Sequence, residues 1–145
     1  MKGHQVTILM VEDDPAHAEI IRRNFEGFRI ANRLTHVVDG RAALDYLQQQ
    51  GSREAADRSL PNLILLDLRL PRIDGLEVLR ILKSTPELRD IPVVVLTTSA
   101  NDKDIAQAYD LGANSYLVKP VGFKDFCEMM NTLGYYWLVW NRYPL

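Results

Sequence analysis

Four places in this 145-residue chain put groups that can do chemistry directly after a short apolar run. Glu12-Asp13-Asp14 follow VTILMV, Asp67 follows LILL, Thr97-Thr98-Ser99 follow VVVL, and Lys119-Pro120 follow YLV. If the apolar runs are strands of one sheet, three strand ends contribute acids or hydroxyls to a single rim and a fourth contributes an amine. Carboxylates gathered in a partly buried place repel one another by several kcal/mol unless protons or a cation compensate. A hard divalent cation is the economical answer, and Mg²⁺ (or Mn²⁺) suits an open rim of oxygen ligands because it keeps several waters. Zinc is disfavoured, since His4, His17 and His36 are scattered and Cys127 is the only cysteine.

Taken singly, each position has a plainer explanation. Glu12, Asp13 and Asp14 could simply cap a helix and favour its dipole. Asp67 could cap a turn, Thr97 is an ordinary strand residue, and a lysine before proline is commonly solvated. Their joint placement at the ends of four separate runs is what favours a common site.

The runs Val6 to Val11, Leu63 to Leu66, Val93 to Leu96 and Tyr116 to Val118 are continuous rather than alternating, as parallel strands covered on both faces should be. A fifth, weaker candidate spans Arg33 to Val38. Helical stretches lie between them. The first opens on Asp14-Pro15, a cap followed by proline at the first helical position, and presents Ile21, Phe25 and Phe28. The second starts near Asp39-Gly40 and buries Ala43, Leu44 and Leu47. The third follows Asp74-Gly75 with Leu76, Leu79 and Leu82, and the fourth follows Asn101-Asp102 with Ile105 and Tyr109, stopping at Gly112. The last runs from about Gly122 to Trp140, with Phe123, Phe126, Met130, Leu133, Trp137 and Trp140 spaced 3, 4, 3, 4, 3 and Gly134 weakening its middle. Gln48 to Leu60 reads as a loop insertion. Five β-α units imply an α/β fold, a doubly wound five-stranded parallel sheet with right-handed crossovers. In such sheets ligands bind beyond the carboxyl ends of the strands.

Length and composition agree with one domain over 1–145, burying roughly two-thirds of the surface its unfolded chain exposes. Apolar residues make up 47% and charged residues 25%, and the net charge of -2 gives no broad attraction to nucleic acid or to an acidic membrane. A single cysteine excludes an intramolecular disulfide, and the N-terminus reads as neither signal peptide nor membrane span, so a cytoplasmic location is expected.

The ordered pieces VEDD, LILLDLRLPRIDG, VVVLTTS and YLVKP resemble the receiver domains of two-component response regulators, with 30 residues from Asp67 to Thr97 and 22 from Thr97 to Lys119. The resemblance covers essentially the whole chain and implies the flavodoxin-like strand order 2-1-3-4-5. It also implies a phosphoacceptor at Asp67, an acidic metal pair at Glu12 and Asp13, and a further metal ligand in the backbone carbonyl of Arg69. The catalytic hydroxyl and amine fall on Thr97 and Lys119, the switch on Thr97 and Tyr116, and a cis peptide between Lys119 and Pro120. Phosphoryl transfer needs an in-line nucleophile and compensation of charge on the equatorial oxygens, which these groups would supply. Thr97 moving toward the phosphoryl group would vacate space for Tyr116 to turn inward, changing the face made by the fourth helix, fifth strand and fifth helix.

NLILLDLRLP, IPVVVLTTS and the aromatic tail narrow the resemblance to small regulators serving cyanobacterial or bacterial phytochrome kinases. A sensor histidine kinase is the implied partner. The tail either packs onto the domain itself or leaves an apolar patch, and a symmetric homodimer through Phe126, Met130, Leu133, Trp137 and Trp140 is expected. Output is expected to be another protein or the dimer itself, because fewer than twenty-six residues follow Pro120. Three rivals remain. A phosphatase resembling haloacid dehalogenases needs a second aspartate where Arg69 stands, so at most slow loss of the chain's own phosphoryl group is expected, not enzymatic turnover. A flavin carrier needs free amides and hydroxyls where Glu12-Asp13-Asp14-Pro15 offers repulsion and a missing amide. A scaffold that binds partners without being phosphorylated is the third.

Overall fold

The computed structural model describes residues 6–28, 32–51, 54 and 60–140, with 139 and 140 as backbone only. One five-stranded parallel sheet has the order β2-β1-β3-β4-β5, as expected. Its strands are β1 (Val6–Val11), β2 (Asn32–Val37), β3 (Leu63–Leu66), β4 (Val93–Thr97) and β5 (Ser115–Val118). The helices are α1 (Pro15–Glu26), α2 (Gly40–Gly51), α3 (Gly75–Ser84), α4 (Asp102–Asp110) and α5 (Phe123–Gly134), the last continued by a π-helical segment, Tyr135–Trp140.

β1, β3 and β4 lie inside the sheet, and their continuous apolar runs are buried because helices cover both faces. One layer, with Leu9, Val11, Ile64, Leu66, Val93 and Val95, packs under α2, α3 and α4. The other, with Ile8, Met10, Leu63, Leu65, Val94 and Leu96, packs under α1 and α5. Alternate residues of each strand thus feed opposite cores.

Local chemistry sets where the helices begin. Asp14 caps α1 through Oδ1, which accepts from the amides of Ala16 at 2.9 Å and His17 at 3.3 Å, and Pro15 takes the first helical position. Asn101 caps α4 by accepting from the Lys103 amide at 2.8 Å. Gly75, at the start of α3, lies so close to the backbone of Asp67 and Leu68 that a Cβ would collide with the Asp67 carbonyl, and the Gly75 amide donates to Leu68 O at 3.0 Å. Glycine there lets α3 begin against the strand end that carries Asp67.

Three expectations need correction. Gln48 to Gly51 is not loop but the last turn of α2, because three glutamines are good helix formers and Gln50 and Gly51 are buried, Gly51 against Leu88. The Lys119–Pro120 bond is trans, the ordinary state of an X–Pro bond, and from it the Lys119 amide still donates to Thr97 O at 2.7 Å. The seam of the last helix faces inward: Phe126, Met130, Leu133 and Trp137 belong to the core against α1 and the sheet. The side chain of Trp140, expected beside them, lies outside the described residues. Gly134 has a packing role, since the Phe28 ring occupies the place a Cβ would take. The outward apolar groups of this region are Phe123, Tyr135 and Tyr136.

Candidate functional site

The register of the sheet brings the ends of β1, β3, β4 and β5 level. Glu12 N donates to Val37 O at 3.0 Å and Asp67 N to Val11 O at 3.1 Å, so the residue after each strand is tied to its neighbour. Glu12, Asp67, Thr97 and Lys119 are all buried, exposed by 2%, 6%, 0% and 5%, although each carries a polar or charged group. Such groups survive burial only by pairing with one another.

Lys119 is the hub of that pairing. Its Nζ lies 2.5 Å from Glu12 Oε1, 2.9 Å from Asp67 Oδ2 and 3.0 Å from His17 Nδ1. Asp67 Oδ1 accepts from the Arg69 amide at 3.2 Å, and the nearby Thr97 hydroxyl favours the ionised form of the same carboxylate. Asp13 stands at the open side, exposed, and one carboxylate oxygen each from Glu12, Asp13 and Asp67 lie within 4.8 Å of one another. The donor set is all oxygen and strongly negative, and these three residues could hold a divalent cation.

The two buried acids differ in their protonation. Burial is the largest influence on Glu12 and pushes its pKa up, and the hydrogen bond and charge of Lys119 only partly offset it, leaving the group at about 7 against an ordinary 4.5. Burial also pushes Asp67 upward, but the Lys119 bond and charge, the Thr97 hydroxyl and the Arg69 amide together outweigh it and hold this carboxyl below its ordinary value. Asp67 is therefore the member of the pair whose ionised form is favoured.

Glu12 accordingly makes the ion-free protein pH-sensitive. Between 4.5 and about 7 the folded chain keeps a proton on Glu12 that the unfolded chain releases. Its contribution is fully present below 4.5 and is lost as pH rises through 7, on the order of 3 kcal/mol. Asp67, with its lowered pKa, loses its own contribution only below the ordinary carboxylate range. Chemical denaturation across this window is expected to show stability falling as pH rises, and Glu12→Gln is expected to flatten that slope. An unchanged slope in Glu12→Gln would contradict the assignment.

Two residues near the rim were not singled out from the sequence. His17, in the first turn of α1, is the third partner of Lys119. Asp104, buried on α4, holds Arg69 Nη2 at 2.6 Å and accepts from Ser99 Oγ at 2.6 Å. The only sequence signal for His17 is its place three residues after the Asp14 cap, which turns it toward the rim. Asp104 lies 35 residues from Arg69, and no local pattern links them. Tyr116 is partly buried, and its hydroxyl donates to Ser99 O at 2.9 Å; burial raises its phenol pKa.

A family model for the response regulator receiver domain matches residues 8–131. The chain belongs to that family. Among its relatives, a probable methanogenesis regulatory protein, FilR2 of Methanothrix harundinacea, is 50% identical over 137 residues, spanning 94% of this chain and 86% of its own. Response regulator Rcp1 of Synechocystis is 45% identical over 131 residues, spanning 90% and 88%. The crystal structure of the Mn²⁺-bound form of Rcp1 aligns with a TM-score of 0.89 at 41% identity, covering 97% of this chain and 99% of that one. That of the phosphorylated cyanobacterial phytochrome response regulator RcpA aligns with a TM-score of 0.90 at 38% identity, covering 98% and 100%. Receiver-domain response regulators are signalling proteins rather than enzymes with a turnover substrate, and two-component signalling implies a histidine kinase partner. Among the described residues no helix is long and apolar enough to cross a membrane.

Proposed function

We propose that this receiver accepts a phosphoryl group on Asp67 from a partner histidine kinase in a Mg²⁺-dependent reaction, and that the added group changes the surface of α4, β5 and α5. One observation carries the reading: a buried, ionised Asp67 shares the Lys119 ammonium with Glu12 beside a third carboxylate. An Asp67 oxygen attacks phosphorus as the P–N bond to the kinase imidazole breaks, the electron pair of that bond stays on the ring nitrogen, and the imidazole leaves neutral with one ring proton supplied by solvent. Lys119 meets the charge of the incoming oxygens, and the Thr97 hydroxyl supplies a second donor. Glu12, Asp13, Asp67 and the backbone carbonyl of Arg69 would hold the cation, which supplies charge neutralisation when bound. Arg69 stands where a phosphatase of the haloacid dehalogenase kind needs an acid, which supports slow loss of the phosphoryl group at most.

Tyr116 already reaches Ser99 at the start of the α4 loop, so the proposed switch consists in rearranging this bond as Thr97 moves. The region receiving the signal includes a groove of about 740 Å³ lined by Leu117, Met129, Leu133, Tyr136 and Trp137, with Tyr136 55% exposed. A second copy of the chain seated on this face makes the homodimer; sedimentation is expected to show dimers at tens of micromolar, and a monomer both with and without phosphorylation would remove that part of the proposal. A cytoplasmic location, with no nucleic-acid or membrane partner, fits a soluble kinase module as donor.

The likeness to RcpA and Rcp1 supports a phytochrome kinase, and the higher identity to FilR2 supports a second reading with a different sensor upstream. Phosphotransfer from phosphorylated kinase domains separates them. Transfer within seconds from a phytochrome kinase, at least about a hundredfold faster than from unrelated kinases, is expected. Equal rates from all of them would contradict the narrower reading.

A further inference from the structure

Lys119 presents three ammonium N–H groups and has no acceptor capacity. Two are taken by the carboxylates of Glu12 and Asp67. The third partner is a ring nitrogen, His17 Nδ1 at 3.0 Å. Because lysine can only donate, Nδ1 must be the acceptor in this contact, and the neutral ring then carries its proton on Nε2. The nearest carboxylate, Asp14 Oδ2, is 3.6 Å from the same Nδ1, too far for a competing hydrogen bond. The ring is held from two sides. Its backbone is fixed in the first turn of α1 by the Asp14 cap, and its face packs against Phe126 of α5 with ring centroids 5.5 Å apart.

We propose that His17 is a positioning residue for phosphoryl acceptance: by taking one N–H of Lys119 on the α1 side, it sets the direction in which the other two meet Asp67 and, in place of Glu12, the incoming phosphoryl oxygens. This rests on the phosphoacceptor reading given above. Glu12 and Asp67 also serve the cation, so their hold on Lys119 is shared with it. His17 contributes no carboxylate to that cluster, and its tie to the ammonium does not compete with cation binding. A rigidly aimed ammonium meets the transferring group without reorganising.

Three measurements test this. Long-range ¹⁵N–¹H spectra of the ion-free protein are expected to show His17 as the Nε2–H tautomer with a hydrogen-bonded Nδ1. That Nδ1 signal is expected to move to the free-acceptor position in Lys119→Met. With acetyl phosphate as donor, His17→Ala is expected to lower the phosphorylation rate at saturating donor about tenfold, the worth of one hydrogen bond to a charged group. Mg²⁺ affinity, followed by calorimetry, is expected to stay within about twofold, because the lost contact is not with a cation ligand. His17→Gln, whose amide oxygen is again a neutral acceptor, is expected to recover the rate to within about threefold. An Nδ1–H tautomer, a His17→Ala rate equal to wild type, or a His17→Gln protein as slow as His17→Ala overturns the role. A wild-type chain that takes up no phosphoryl group overturns the proposed function and this role together, whereas normal wild-type uptake with an indifferent His17→Ala overturns this role alone.

Discussion

Lys119→Met is expected to leave the ion-free protein about 3–5 kcal/mol less stable above neutral pH, the usual consequence of removing one partner from a buried charge cluster. The ammonium touches both Glu12 and Asp67, and all three side chains are buried. Without it the two carboxylates face one another with no ammonium between them. Methionine fills similar volume and contributes no charge. Asp67 then loses the strongest of the influences holding its carboxyl below the ordinary range, and its pKa rises. Adding Mg²⁺ is expected to return part of the lost stability, because a cation bound by the folded chain alone stabilises it by mass action. Phosphoryl acceptance is expected to fall by about a hundredfold or more, the scale set by removing one preorganised donor from a developing anion. Urea denaturation with and without Mg²⁺, together with single-turnover phosphorylation, checks both parts. A variant as stable as wild type would mean that the cluster is not held by charge.

Asp67→Asn carries the second large effect. The amide has nearly the same shape and its oxygen can still accept the Lys119 hydrogen bond, at the loss of the bond from the Arg69 amide, so the fold is expected to persist. It lacks the anionic nucleophile, and phosphorylation is expected to drop below detection, at least about a thousandfold. One of three carboxylates leaves the rim, so Mg²⁺ affinity is expected to fall as well. Retained phosphorylation at wild-type rate would move the acceptor to another side chain.

Much of this site is legible in the sequence because a parallel sheet converts strand ends into neighbours. VTILMV, LILL and VVVLT are buried on both faces, so their lengths and ends are sharply marked, and the residues that follow them must meet at one edge. The strand-end rule alone brings Glu12, Asp67, Thr97 and Lys119 together. Contacts that depend on how two separate elements pack were not legible. His17 reaches Lys119 only because α1 and the loop after β5 converge, and Arg69 reaches Asp104 only because α4 starts beside the loop after β3.

The last helix shows a different limit. A 3, 4 spacing of apolar residues serves equally for packing on the chain's own sheet and for a partner copy, and here Phe126, Met130, Leu133 and Trp137 use it on their own core. The π-helical segment after Gly134 then changes the phase, presenting Tyr135 and Tyr136 outward while Trp137 stays buried. At the end of α2 the glutamine run reads as a loop from sequence because polarity alone does not distinguish a loop from a solvated helical turn.

A charge-compensated Asp67 is expected to take up one phosphoryl group with the help of a divalent cation. The most direct measurement is the intact mass of the purified chain after incubation with acetyl phosphate, with Mg²⁺ and with a chelator. One added phosphoryl group per chain is expected with Mg²⁺, removable by hydroxylamine as an acyl phosphate should be, and none with the chelator or in Asp67→Asn. Uptake that survives both the chelator and Asp67→Asn, or no uptake by the wild-type chain under any of these conditions, would contradict the account.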